Sequence, residues 1–177
     1  MITNIFDTET TDLVKPLATP LEKQPEIIQI HIEKFDDGQL VDTFSSFVKP
    51  FKPVPDFITD ITSITNAMVD DAPRWLSIQS DVQAFMLDGV DEVAAHNLSF
   101  DMDMVNIEAK RTGHQFLWPV NRICTVEQTE HIKGRRLDLM SLHEHLFGEG
   151  FEKAHLAQND VAALARCFFR LRELGEL

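Results

Sequence analysis

Residues 2–13 read ITNIFDTETTDL, and this stretch decides the fold. Ile2 to Phe6 is short, apolar and rich in β-branched side chains, as a buried strand is. The run ends at Asp7, with Glu9 two positions further on. Side chains at i and i+2 of a strand point to one face. Two carboxylates side by side repel each other unless a cation lies between them, and hard oxygen ligands suit Mg²⁺ or Mn²⁺. For Asp-x-Glu alone, a solvated strand end is the plainer reading.

Outward from this strand, Ile27, Ile28, Ile30 and Ile32 mark a second one. Asp36-Asp37-Gly38 is a turn signal, and Leu40 to Val48 reads as the returning strand of a hairpin. Pro50, Pro53 and Pro55 impose an extended loop. Pro73 sits where a first-turn proline would, and Trp75, Ile78, Val82, Phe85 and Met86 follow at helical spacing until Gly89. Val90 to Ala95 reads as a fourth strand. Phe100, Met104, Ile107 and Arg111 form a second helix, closed by Gly113. Arg122 to Thr125 reads as a fifth strand. Leu139, Leu142 and Leu146 share one helical face, and Val161, Leu164, Ala165, Phe168 and Leu171 make the stripe of a final helix. Three strands followed by strands alternating with helices imply an α/β sheet, with an antiparallel hairpin on one side and parallel additions on the other.

The chain has 177 residues, which predicts a single domain over residues 1–177. No run of about 18 apolar residues occurs, so a transmembrane helix is not expected. The first ten residues have neither a basic start nor a long apolar stretch, so no signal peptide is expected either. Two cysteines, Cys124 and Cys167, exclude a disulfide framework and a cysteine-rich zinc site, and a reducing, cytoplasmic setting follows as the default. The balance of 16 basic against 29 acidic residues, net -13, argues against a protein that coats nucleic acid through phosphate contacts. It does not exclude one that grips a strand end, and bound cations would offset clustered carboxylates.

Two further clusters carry chemistry. AAHNLSFD, residues 94–101, places His96, Asn97, Phe100 and Asp101 where a strand passes into a helix. In open α/β sheets the ends of neighbouring strands meet where ligands bind. Taken singly, Asn97 reads as a helix cap and Asp101 as a first-turn acid. AHLAQNDVAAL, residues 154–164, places His155 and Asp160 before the stripe of the last helix. Histidine is the side chain best suited to proton transfer near neutral pH. A surface loop histidine and an N-terminal helix charge are the plain alternatives.

The joint order of these clusters is distinctive. D-x-E on the first strand, H-N-x-x-F-D about ninety residues on, and H-x-A-x-x-D before the last helix together resemble the three motifs of the DEDDh 3′–5′ exonucleases. That family includes the proofreading subunit of bacterial DNA polymerase III, RNase T and oligoribonuclease. PEIIQI, the FVKP, ITSIT and MVDDAP segments, and RICT are similar to the family's connecting elements. The resemblance implies the RNase H-like exonuclease fold, a mixed five-stranded sheet flanked by helices. It implies that Asp7, Glu9, Asp101 and Asp160 hold two divalent cations, Mg²⁺ or Mn²⁺, with Asp7 bridging both. His155 would take the proton of the attacking water and must be neutral to do so. Thr8, Thr10, Leu13, Thr65, His96 and Asn97 would line the pocket of the terminal nucleotide, Leu13 as a wedge against the last base.

Two positions depart from the family pattern. Asp12 and Ser63 stand where glycine is usual, and neither change removes a metal ligand. The chain ends soon after the last helix, so a free-standing nuclease is expected rather than a tightly bound proofreader. The expected activity is hydrolysis from a 3′ end that releases nucleoside monophosphates, with single-stranded DNA favoured over RNA. The alternatives are an RNA-directed exoribonuclease and a trimming, proofreading or binding module of a larger complex, with a polymerase as one conceivable partner. Local residue chemistry would also fit a metal-dependent endonuclease, since the polarity comes from the resemblance alone. No nucleotide-cofactor fingerprint is present.

Overall fold

A computed structural model describes residues 1–152 and 155–177. In chain order the elements are β1 (Ile2–Thr10), β2 (Ile27–Asp36), β3 (Gln39–Phe47), α1 (Asp56–Thr62), α2 (Asn66–Val69), α3 (Trp75–Leu87), β4 (Glu92–Ala95), α4 (Leu98–Arg111), β5 (Asn121–Cys124), α5 (Thr125–Gln128), α6 (Glu130–Lys133), α7 (Leu139–Phe147) and α8 (Ala157–Leu174). The strands form one sheet of five in the order β3-β2-β1-β4-β5. β1 pairs antiparallel with β2 and β2 with β3, whereas β1–β4 and β4–β5 are parallel. This is the mixed sheet with a hairpin at one side that the strand order implies. Asp37 and Gly38 both have positive φ, as a turn matched to the twist of a hairpin requires.

β1 lies at the centre, and its alternation divides the core. Phe6 packs on one face with Trp75, Val82, Met104 and Val105 of α3 and α4. Ile5 packs on the other with Val161, Leu164 and Phe168 of α8. Each of these large side chains, fully buried, contributes about 1.5–3 kcal/mol. Because the period of a strand is 2, Asp7 and Glu9 continue the α8 face, while Thr8 and Thr10 continue the α4 face.

Several boundaries differ from expectation, each for a local reason. β1 runs on past Phe6 to Thr10, because pairing with β2 continues through Asp7↔His31 and Glu9↔Gln29, with a bulge before Thr10. β4 begins at Glu92, since the Val90 N–H closes a turn onto the Leu87 carbonyl at 3.2 Å. α3 begins at Trp75, since Pro73 belongs to the preceding loop and its carbonyl accepts from the Lys49 N–H at 2.9 Å. Asp160 lies inside the first turn of α8, not ahead of it. The cause is Gln29 of β2, whose side chain accepts from the Ala157 N–H at 3.2 Å and donates to Gln158 at 3.1 Å, starting the helix early. The short helices α1, α2, α5 and α6 have no sequence stripe long enough to announce them.

Candidate active site

At the Glu9 end of β1, three elements bring carboxylates together. Oxygens of Asp7, Glu9 and Asp160 all lie within 4.8 Å of one another. β1 supplies the first two on its α8 face, and the packing of Val161 and Leu164 on Ile5 sets the first turn of α8 above them. The Asp160 carboxylate also accepts the His155 N–H at 2.8 Å. His155 is exposed and has a φ of 66°, a left-handed backbone that a non-glycine residue adopts only when its surroundings hold it there.

Asp101 enters from the opposite face of the sheet, in the first turn of α4. It is 2% exposed. One carboxylate oxygen accepts both the Thr8 N–H at 3.0 Å and the Thr8 hydroxyl at 2.7 Å. Thr8 therefore fixes Asp101 beside β1. Asp101 is not one of the three acids whose oxygens meet within 4.8 Å, but its charge acts on both Asp7 and Glu9.

Electrostatics at this end of the sheet are strained by like charge. Burial pushes Asp7 well above the carboxylate range, and the charges of Asp101, Glu9 and Asp160 push it further. Glu9 rises to about 8, through burial and then through Asp160 and Asp101. Burial raises Asp101 to about 7, against the opposing hydrogen bonds of Thr8. Asp160 is raised by burial and partly relieved by the His155 N–H. Clustered acids that resist ionisation together are what bound cations reverse. The donor set is all oxygen, which fits Mg²⁺ or Mn²⁺ rather than a soft metal.

A cleft of about 340 Å³ opens on this cluster, lined by Asp7, His96, Asp138, Met140, His155 and Asp160 among others. His96 forms part of its wall and both ring nitrogens are engaged. The Leu137 carbonyl can only accept, so Nε2 carries the hydrogen (3.1 Å) and Nδ1 accepts from the Thr125 hydroxyl (2.9 Å). Burial lowers the His96 pKa, in keeping with a neutral ring. Asn97 occupies the N-cap position of α4 but has left-handed backbone (φ 74°), and its side chain does not cap the helix.

The other expected pocket residues are not among those that line this cleft. The Thr10 hydroxyl donates to the Asp12 carbonyl at 2.9 Å. Leu13 projects from the loop after β1, 73% exposed. The negative charge of Asp12 beside it is offset by Lys15 at 3.5 Å. Thr65 is exposed at the start of α2, next to Ile64, which packs with Ile28 and Leu156 and so ties this segment to the His155 side. Sequence reading passed over Asp138, Met140 and Phe151 in the cleft wall. Asp138 had a findable signal, because it caps α7 by accepting the Ser141 N–H at 2.7 Å, an Asp-x-x-Ser spacing ahead of a leucine stripe. Met140 and Phe151 had none.

Comparison with known proteins gives the family and the fold. The model of the family described as RNase_T, Exonuclease, matches residues 5–168. The DNA polymerase III PolC-type of Caldanaerobacter subterraneus subsp. tengcongensis is 32% identical over 174 residues, which cover 96% of this chain and 11% of that protein. Its counterpart in Latilactobacillus sakei subsp. sakei is 36% identical over 172 residues, with the same coverage of 96% and 11%. The chain thus spans only 11% of the length of these curated relatives. Among solved structures, the nuclease domain of 3′hExo, a DEDDh family member, bound to rAMP, superposes with a TM-score of 0.79 at 20% identity, covering 98% of this chain and 92% of that one. Exonuclease X in complex with 5′ overhanging duplex DNA gives 0.68 at 23% identity, covering 98% and 93%. These structural likenesses establish the RNase H-like exonuclease fold.

Proposed function

Since the chain belongs to the RNase_T exonuclease family, as a DEDDh member of the RNase H-like superfamily, we propose that it is a metal-dependent 3′–5′ exonuclease releasing nucleoside monophosphates. The observation that carries this reading is the convergence of Asp7, Glu9 and Asp160, with Asp101 beside them and His155 in the same cleft. Asp7, Glu9, Asp101 and Asp160 would hold two divalent cations, Mg²⁺ or Mn²⁺. When bound, such a pair supplies an activated water and stabilises the leaving 3′ oxygen.

The chain's own groups do the rest. His155 accepts the proton of the attacking water on a ring nitrogen, and the bond from its N–H to Asp160 holds its backbone at the cleft. Thr8 holds the Asp101 carboxylate beside β1. Thr10, Leu13, Thr65, His96 and Asn97, with Thr8 beneath, shape the terminal-nucleotide pocket. His96 acts as a fixed wall there because its ring is already bonded on both sides. The exposure of Leu13 on the loop after β1 suits a wedge against the last base.

Single-stranded DNA is the favoured substrate. The PolC-type relatives support a DNA polymerase setting, and that coverage favours a second reading, a proofreading or trimming module that works within a longer assembly. Buried, unpaired Cys124 and Cys167 fit a cytoplasmic location. Among the described residues no helix is long and apolar enough to cross a membrane.

A time course with Mg²⁺ or Mn²⁺ on 5′-labelled single-stranded DNA and RNA of one sequence tests this. The expected result is a ladder descending from the 3′ end, faster on DNA and lost in His155→Ala. A folded, metal-bound chain that cleaves neither strand would overturn independent catalysis in favour of the module.

A further inference from the structure

Behind the cleft wall lies a side chain that the proposed chemistry does not use. His143 of α7 is fully buried. Its Nδ1 lies 2.7 Å from the Glu149 carbonyl, which can only accept, so Nδ1–H is the donor. Its Nε2 is buried and has no hydrogen-bond partner among the described residues. Packing alone does not call for such a residue, because leucine or phenylalanine would fill the same core without burying an unsatisfied nitrogen. What the imidazole adds is the bond to Glu149, and that bond holds the segment that follows α7.

Other residues of α7 grip the same segment. Met140, His143 and Phe147 recur at helical spacing along one face of α7. The Met140 sulfur accepts the Phe151 N–H at 3.4 Å. The His143 ring centre lies 4.7 Å from that of Phe147, and it meets the Phe151 ring edge-on at 5.5 Å and 60°. Phe151 is thus fixed through its backbone by Met140 and through its ring by His143. Met140 and Phe151 also line the active cleft, together with Asp7, His155 and Asp160. The result is a pre-set apolar wall beside the carboxylates.

On the nuclease reading, upon which this inference rests, the scissile phosphate lies at Asp7 and Asp160. Thr10, Leu13 and Thr65, assigned above to the terminal nucleotide, do not line this cleft. We propose that the apolar wall serves the other side of that phosphate: Phe151 stacks on the base of the nucleotide whose 3′ oxygen leaves, and His143 is the positioning residue that holds Phe151 in place. Every base has a π-face, so such a contact adds affinity without sequence preference. Met140 suits the same place, since a flexible thioether fits an irregular surface.

The test compares an oligothymidylate with the same strand carrying an abasic residue next to the terminal nucleotide. Initial release of that terminal nucleotide is followed with Mg²⁺ or Mn²⁺. Phe151→Ala should raise KM about tenfold on the intact strand, the size of one lost base stack, with kcat within about twofold. On the abasic strand it should change neither. A general loss of fold would affect both strands alike, so the abasic strand is the control. His143→Phe keeps a flat ring but loses the donor, and should raise KM about threefold or more on the intact strand alone. His143→Asn restores an N–H near the place of Nδ1 and should bring KM back to within about twofold of the parent. Binding is read separately, by anisotropy of both strands with a 5′ fluorophore and a phosphorothioate at the last linkage to slow hydrolysis, and Kd should follow the same pattern. Equal losses on both strands, or no loss on the intact one, overturn the Phe151 contact. His143→Asn no better than His143→Phe overturns the Glu149 bond as the means of positioning. A chain that shows this pattern in Kd yet hydrolyses neither strand overturns the nuclease reading alone, and one that binds neither strand overturns both.

Discussion

Thr8 holds Asp101 through two hydrogen bonds to one oxygen, and only one of them needs the side chain. Thr8→Val keeps the shape and the backbone bond but removes the hydroxyl. Outer partners of metal ligands typically matter by about 10–100-fold, so apparent Mg²⁺ or Mn²⁺ affinity should fall by that factor while the fold survives. A metal titration of activity checks this, and an unchanged midpoint would show that Asp101 is held without Thr8. His155 belongs to a different class, because it moves a proton instead of placing a ligand. His155→Ala should lower kcat by about 10²–10⁴ and leave metal binding, read by calorimetry, near the parent value. Asp7→Asn should instead abolish both turnover and the tight component of metal binding.

Elements carry these residues to one place, and one of them contains a residue at odds with its backbone. Ser63 ends α1 with φ 62° and ψ 4°, the left-handed conformation in which glycine is at ease. Its side chain pays a steric penalty there of about 1–2 kcal/mol, against about 0.5–1 kcal/mol of extra chain entropy that glycine would lose. Ser63→Gly should therefore stabilise the chain by about 0.5–1 kcal/mol, a rise of about 1–4 °C in Tm. Thermal unfolding with an activity assay at one temperature reads both effects. A lower Tm would mean that the Ser63 side chain contributes more than its backbone costs. α8 depends on tertiary context in another way, since its first turn forms where Gln29 of β2 takes the Ala157 N–H. That is why the reading of H-x-A-x-x-D as a segment ahead of the helix misplaced its start.

At the scale of the whole molecule, buried acids couple folding to pH and metal. Glu9 near 8 and Asp101 near 7, with Asp7 also raised, mean that the folded chain keeps protons that the unfolded chain releases above about pH 4. Without metal, stability should therefore fall as pH rises from about 4 to about 8, the reverse of a salt-bridged carboxylate. Divalent cations displace those protons, so the Tm gain from Mg²⁺ or Mn²⁺ should be larger at about pH 8.5 than at about pH 5.5. Equal gains at both pH values would mean that the ions bind elsewhere. The net charge of -13 adds to the same trend.

The sequence by itself determined the order of strands and helices and the inventory of carboxylates, because strand and helix periodicities are local and survive without a fold. Ile2–Phe6, the Asp37-Gly38 turn and the stripe from Val161 to Leu171 needed only their neighbours to be read. Tertiary structure alone decided that Asp7 and Glu9 face α8 while Asp101 arrives from the α4 side, that Thr8 bonds an acid instead of lying open, and that both nitrogens of His96 are already occupied. It also decided that α3 starts without a side-chain cap, beside a buried indole that has no hydrogen-bond partner among the described residues. Residues far apart in the chain acquire a shared environment only when packing of the core sets the distances between them, and no spacing along the sequence encodes those distances.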